Sequence, residues 1–375
     1  MKRFNRRMNW KKWMTAAVIS CCCLSAGAQV TGGERAMEFL RLSNAPHVSA
    51  LGGICVSSTA DDIAFALQNP SLMRPALHNQ LGLNYNAYYA GIGVMNLQYG
   101  YNVEKLSTAF AFGVQYLNYG SFTQTDDIGN QYGDFRASDY ALSLAASRSY
   151  GEHWRYGATL KWAHSMLYDK RAGAVLADVG INFFDKNALV DVGIVAKNMG
   201  FMLHNYTKGN NEPLPFDLQL GASKQFKHLP LNLYVTVHHL YEWDIRYDNP
   251  ADVQTNILTG ADTATKKKSY FADKLFRHFI FGAEFTLGKR IALSASYNQL
   301  HRSELAIKEH TALAGFSFGA GINLNKFQVH YSRVYYSSAG AYNEFGLNMA
   351  LNKLFGLGKS GERIHWNATY PDELQ

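Results

Sequence analysis

The stretch AGAVLADVGINFFDKNALVDVGIVAKN, from Ala172 to Asn198, decides how the rest of the chain is read. Val175, Ala177, Val179, Ile181 and Phe183 recur at every second position, with Asp178, Gly180 and Asn182 between them. Successive side chains of a strand point to opposite faces, so this spacing makes one apolar face and one largely polar face. Asp185-Lys186-Asn187 then turns the chain into a second run at 188–197. Two such runs joined by three residues form an antiparallel hairpin, each arm long enough to cross a bilayer at a tilt.

The period of two holds from about Gln80 onward. Phe110, Phe112, Val114 and Tyr116 share a face, as do Tyr140, Leu142, Leu144 and Ala146. Leu231, Leu233, Val235 and Val237 follow, then Phe279, Phe281, Ala283, Phe285 and Leu287. Phe316, Phe318, Ala320, Ile322 and Leu324 repeat it, and so do Phe345, Leu347, Met349 and Leu351. Many intervening positions are Gly, Ala, Ser, Asn, Gln or charged, as a lumen face requires. The runs predict strands at 80–88, 91–102, 106–118, 138–150, 154–168, 172–184, 188–197, 215–225, 231–240, 273–287, 290–300, 312–324, 327–336 and 342–351. Fourteen is an even number, the rule for single-chain bacterial barrels.

The connections carry the stronger argument because they alternate in length. Glu104-Lys105, Gly151-Glu152-His153, Asp185-Lys186-Asn187, Phe226 to Pro230, Gly288-Lys289 and Asn325-Lys326 are short. The longest are Tyr119 to Ala137, Asn198 to Leu214, Tyr241 to Ala272 and His301 to Thr311, and all fall on one side of the meander. Short periplasmic turns and long extracellular loops produce this asymmetry in transmembrane barrels. The reading is therefore all-β: about fourteen antiparallel strands closed into a transmembrane barrel over 80–351. Tyr85, Tyr88, Tyr89, Tyr99, Tyr101, Tyr116, Tyr119, Tyr335 and Tyr336 gather near strand ends, as an interfacial girdle would, though the β-propensity of Tyr accounts for each position equally well.

Composition agrees. Of 375 residues, 47% are hydrophobic, 14% aromatic and 17% charged, with a mean hydropathy of −0.20. A helical membrane protein would score strongly positive, whereas a barrel shows lipid only alternate residues. Beyond the N-terminus no run of 18 apolar residues occurs. Lys2, Arg3, Arg6, Arg7, Lys11 and Lys12 precede an apolar stretch from Trp13 to Leu24 and an A-x-A site at Ala26-Gly27-Ala28, so residues 1–28 read as a secretory signal peptide. Val18-Ile19-Ser20-Cys21 also fits a lipoprotein box, the alternative processing. The leader holds six of the 36 Lys and Arg and no acid, which leaves 30 bases against 29 acids and a net charge of +1. A nucleic-acid-binding footprint is thus excluded. Cys55 alone remains of the four cysteines, so an intrachain disulfide is impossible and a buried thiol is expected.

Residues 29–79 do not alternate and form a candidate plug, and 352–375 a candidate periplasmic tail. Within ALGGICVSSTADDIAFALQNPSL (Ala50 to Leu72) stand Gly52-Gly53, Asp61-Asp62 and Asn69-Pro70-Ser71. In these residues the chain resembles the FadL-like superfamily of outer-membrane barrels, where a Gly pair, an Asp pair and an Asn-Pro-Ala motif precede the first strand. Ser71 replaces the usual Ala. From GGERAMEFLRLSNAPHVSALGG (Gly32 to Gly53) to the last strand, the chain is also similar to barrels of the type IX secretion system of Bacteroidetes. That resemblance implies a non-enzymatic anchor that holds a PorZ-like surface protein, with the sortase PorU and the shuttle barrel PorV, where cargo is joined to anionic lipopolysaccharide. Transport of hydrophobic compounds, as in other superfamily members, is the alternative. Neither implies a cofactor.

Other motifs resolve structurally. Gly315-Phe316-Ser317-Phe318-Gly319 matches the G-x-S-x-G nucleophile elbow, but alternation continues through Leu324, which puts Ser317 mid-strand facing the lumen. His238 and His239, near Glu242 and Asp244, should point to opposite faces of a strand and so not share an ion. Asp61 and Asp62 read as plug carboxylates paired with lumen bases such as Arg148, Lys161 or Arg333. Asn69-Pro70 sets the chain's path into the first strand. Lys266-Lys267-Lys268, in the longest loop, is a candidate contact to lipopolysaccharide or an acidic partner. No catalytic, cofactor-binding or metal-ligating residue is assigned.

Overall fold

The computed structural model describes residues 35–356 apart from 208, 210–211, 247–270, 289, 305–312, 325 and 338–339. Fourteen antiparallel strands close into one barrel, each paired with its sequence neighbours and the first with the last. They are β1 (Gln80–Ala87), β2 (Gly93–Val103), β3 (Thr108–Thr125), β4 (Gln131–Tyr150), β5 (Trp154–Leu167), β6 (Lys170–Asp185) and β7 (Val190–His204). The second half comprises β8 (Asp217–Gln225), β9 (Leu231–Val237), β10 (Phe279–Leu287), β11 (Ile291–Asn298), β12 (Phe316–Asn323), β13 (Phe327–Ser337) and β14 (Gly340–Ala350). Closure runs from Gln80 opposite Ala350 to Ala87 opposite Asn343, which removes any unpaired edge.

Side chains sort as the period of two requires. On β10, Phe281, Phe285 and Leu287 are exposed outward while Ile280, Gly282, Glu284 and Thr286 are buried. Across the wall Leu144, Leu160, Leu293 and Phe345 lie on the outer surface, and Leu160 is 60% exposed. An apolar exterior of this extent is unfavourable in water and favourable against hydrocarbon. The fold is that of an outer-membrane barrel.

The boundaries differ from expectation where pairing or helix propensity prevails. The connection from Tyr119 to Ala137 is largely strand: past a bulge, Ser121 to Gln124 pair with Arg136 to Gly133, and Phe122 stacks on Phe135 at 5.4 Å. Pairing likewise carries β7 to His204. Phe271–Arg277 is helical, not the start of a strand, since its Lys, Leu and Arg favour helix and Asp273 accepts from Arg277 one turn on at 3.0 Å. Gln299–Glu304 is a further short helix, with Leu351–Phe355 after the last strand. The signal peptide and all but the first residues of the C-terminal tail lie outside the described residues.

The N-terminal segment fills the barrel. Its Ala36 N–H donates to the Pro213 carbonyl (3.0 Å) at the long-loop end. At the other end the Asn79 N–H donates to the Gly100 carbonyl (2.8 Å), and the Asn79 carbonyl accepts from Leu351. Between them run short 3-10 turns and the helix Pro46–Ala50. Cys55 is buried as expected, its thiol donating to the Ser57 carbonyl at 3.2 Å.

Candidate functional site

The plug lies on the wall at positions where the wall has no side chain. Gly157 on β5 faces Pro70, Gly180 on β6 faces Asn69, and Gly193 and Gly221 on β7 and β8 face Val56. A methyl at Gly157 would stand 2.6 Å from the Pro70 carbonyl carbon, and one at Gly193 would overlap the Val56 carbonyl oxygen. Gly157 is directly opposite Gly180, and Gly193 opposite Gly221. Glycine is needed at 157 and 193 for close backbone approach, and at 180 and 221 it makes room for the Asn69 and Val56 side chains.

The motif residues serve this seat. Asn69, fully buried, accepts from the Ser71 N–H (3.1 Å) and the Ser71 hydroxyl (2.6 Å), and donates to the Val56 carbonyl (2.9 Å). Pro70 opens the next 3-10 turn, where its fixed φ fits and no N–H is wanted. Gly52 and Gly53 both take left-handed φ (98° and 87°) after the helix Pro46–Ala50, and a side chain at Gly52 would overlap Ile280.

The paired carboxylates have other partners than the bases expected. Asp61 accepts two bonds from Arg74 (3.0 and 2.7 Å), and Arg74 also donates to the Thr59 carbonyl at 2.7 Å, which closes a plug loop on itself. Asp62 meets His47 Nδ1 at 2.9 Å, and His47 Nε2 meets Glu284 on β10 at 2.8 Å. With a carboxylate at each ring nitrogen, His47 donates from both and is the imidazolium bridging two buried acids. Asn348 and the Ala64 N–H donate to Asp62, each at 2.9 Å. Asn232 and Ser294 donate to Glu284, and His330 stacks on His47. Five strands, β9, β10, β11, β13 and β14, thereby contribute to one network around His47, Asp62 and Glu284. Arg148 and Arg333 lie outside this cluster, the latter hydrogen-bonded to Asn343, and Lys161 pairs with Asp178 at 2.6 Å. The parity of β13 explains the miss, since it turns His330 inward and Arg333 outward. One signal was available: Glu284 is the lone charge of FIFGAEFTL and stands at inward parity.

Beside this packing a cavity of about 40 Å³, lined by Leu67, Gln68, Gln115, Lys161 and Lys197 among others, has room for a few waters. At the long-loop end Phe39, Leu40, Leu117 and Leu176 form an apolar cluster against Tyr88, Tyr119 and Met202. Ser317 is buried and faces the lumen, but near the start of β12 and after a left-handed Gly315, so no strand-to-helix elbow surrounds it. His238 and His239 do not point apart. β9 ends at Val237, His239 takes a left-handed φ of 55°, and their Nδ1 atoms lie 2.5 Å apart. Lys266, Lys267 and Lys268 lie outside the described residues.

No protein-family model and no curated protein matches the chain. Solved structures similar to it include the TodX monoaromatic hydrocarbon channel deltaS2 mutant, at 14% identity and a TM-score of 0.46 over 82% of this chain and 97% of that one. The CymD monoaromatic hydrocarbon channel gives 13% and 0.46 over the same shares. A FadL homologue of Pseudomonas aeruginosa gives 11% and 0.42, again over 82% and 97%. The geometry defines a plugged outer-membrane barrel.

Proposed function

We propose that this chain is a PorQ-like, non-enzymatic anchor of the type IX secretion system. In this reading the barrel sits in the outer membrane with its long connections at the cell surface, where they hold a PorZ-like protein. PorU and PorV complete the attachment complex that joins cargo to lipopolysaccharide. The observation that favours an anchor is the seating of the plug: glycines on four strands admit its backbone and side chains, and His47 with Asp62 ties it to β10, β13 and β14. A barrel so filled serves as a fixed membrane mount. Transport of a hydrophobic compound is the second reading, favoured by the apolar cluster around Phe39 and Leu40 beneath the long connections.

The test is deletion of residues 247–270 from the longest connection, followed by recovery of the barrel from outer membranes in mild detergent. The anchor reading expects a stoichiometric secreted partner with the intact chain, and its loss from the deletion variant while the barrel stays folded and heat-modifiable. Intact protein that comes alone with a bound hydrophobic ligand would replace anchoring with transport. A partner retained by the deletion variant would move the dock to another loop.

A further inference from the structure

Asp217 opens β8, and His238 and His239 follow directly on β9, its neighbour in the barrel. The left-handed turn at His239 brings both rings to one side. Their Nδ1 atoms are closer than an ordinary hydrogen bond, and His239 Nδ1 is 4.0 Å from Asp217 Oδ2. One ligand atom from each of the three residues lies within 4.8 Å of the other two.

The surroundings orient these groups. The His239 N–H donates to Asp217 Oδ1 and Gln219 Nε2 to Asp217 Oδ2, both at 2.7 Å, which fixes the carboxylate. His278 Nδ1 lies 2.8 Å from the His238 carbonyl. His238 is 1% exposed, and its Nε2 has no hydrogen-bond partner among the described residues. Arg35 and Arg41 lie on the His239 side, but Arg35 is engaged by Glu242 (3.1 Å) and Tyr241 (2.6 Å), and Arg41 by Glu38 (3.5 Å).

We propose that Asp217, His238 and His239 bind one divalent transition-metal ion of the zinc class at the long-loop mouth of the barrel. Two imidazoles and a carboxylate suit zinc and its neighbours, whereas calcium and magnesium take oxygen ligands. Zinc at about 2.0–2.1 Å from each nitrogen sets the two about 3.3 Å apart, so the rings need part by less than about 1 Å. Asp217 already has the supporting hydrogen bonds that metal ligands require. The ion would tie the start of β8 to the end of β9, and so fix the base of the segment Leu240 to Arg246 that leads into the longest connection.

The experiment is calorimetric titration of zinc chloride into tag-free full-length protein, stripped with chelator and held in detergent. Cobalt chloride absorption provides the ligand-field readout. Wild type should take up zinc with a stoichiometry near one and show cobalt bands of nitrogen and oxygen ligation. His239→Gly, which keeps the left-handed backbone without strain, should weaken zinc binding at least about 10–100-fold, the range that losing a residue that merely orients a ligand already costs. His238→Ala should do the same, and heat-modifiability reports that both variants remain folded. Absence of zinc binding in wild type would overturn the proposal. So would variants that both bind zinc as tightly as wild type, which would place the ion on some of the other eleven of the 13 histidines.

Discussion

His47 shows how much can rest on one residue of a lumen plug. Its two nitrogens reach Asp62 and Glu284 at 2.9 and 2.8 Å in a site closed to water. Truncating one member of a buried charged group is costly chiefly because the remainder stays charged and unpaired. His47→Ala is therefore expected to destabilise the plug by about 3–5 kcal/mol, read as a lowered urea midpoint of plug unfolding in detergent. Adding Asp62→Asn and Glu284→Gln removes the stranded charges and should recover part of that loss. A triple variant no more stable than His47→Ala would contradict the imidazolium assignment. This cluster was only half legible in the sequence: the Asp pair stood out by its motif, whereas pairing to His47 depends on where Pro46–Ala50 packs against β11 to β14 and lets His47 reach Glu284, which no local pattern encodes.

Among elements, the glycines of β5 to β8 and the short helix Gln299–Glu304 make separable predictions. Gly180→Ala puts a methyl onto Asn69, and Gly193→Ala puts one onto the Val56 carbonyl, where only backbone could yield. Each should cost about 1–3 kcal/mol by overpacking and lower the melting temperature, with strand pairing intact by circular dichroism. Gly53→Ala meets no atom within 4 Å, so any loss there reports its left-handed backbone instead of crowding. In Gln299–Glu304, burial pulls the His301 pKa down to about 4, and its ring packs on Tyr336 with centroids 4.0 Å apart. A histidine with a depressed folded-state pKa costs nothing above its unfolded value near 6.5. As the pH falls from there toward 4 the unfolded state takes up the proton first, and the element loses stability. Amide exchange over 299–304 should accelerate across that window, and His301→Phe should abolish the acceleration. The alternation of β10 or β12 could be read directly, while the helices Phe271–Arg277 and Gln299–Glu304 could not, because an alternating run was extended into segments whose helix formers pack at the barrel mouth.

Taken whole, the molecule turns ordinary aqueous logic outward. Leu160 sits midway along β5, exposed on the apolar exterior. Leu160→Arg is expected to cost about 2–4 kcal/mol at the bilayer midplane. Reversible folding into lipid vesicles measures this, and a cost near zero would remove the membrane from that face. At the same height Lys161 turns inward to Asp178 and Asn198, so neighbouring residues meet opposite solvents. One wall thus holds both a lipid surface and a polar lumen, and the plug occupies the second.

The sequence by itself determined the strand count, the closed barrel, the end at which the long connections gather, and the plug motif, because each is written in a local period or in the spacing between turns. Which plug atom meets which wall residue was decided only by tertiary structure. Register and stagger bring together residues as distant as His47 and Glu284, or Asn69 and Gly180, and make the left-handed turn that joins His238 to His239. Alternation fixes the face a side chain looks toward. Closing the cylinder fixes what stands opposite, since only then are height and angle around the axis both defined.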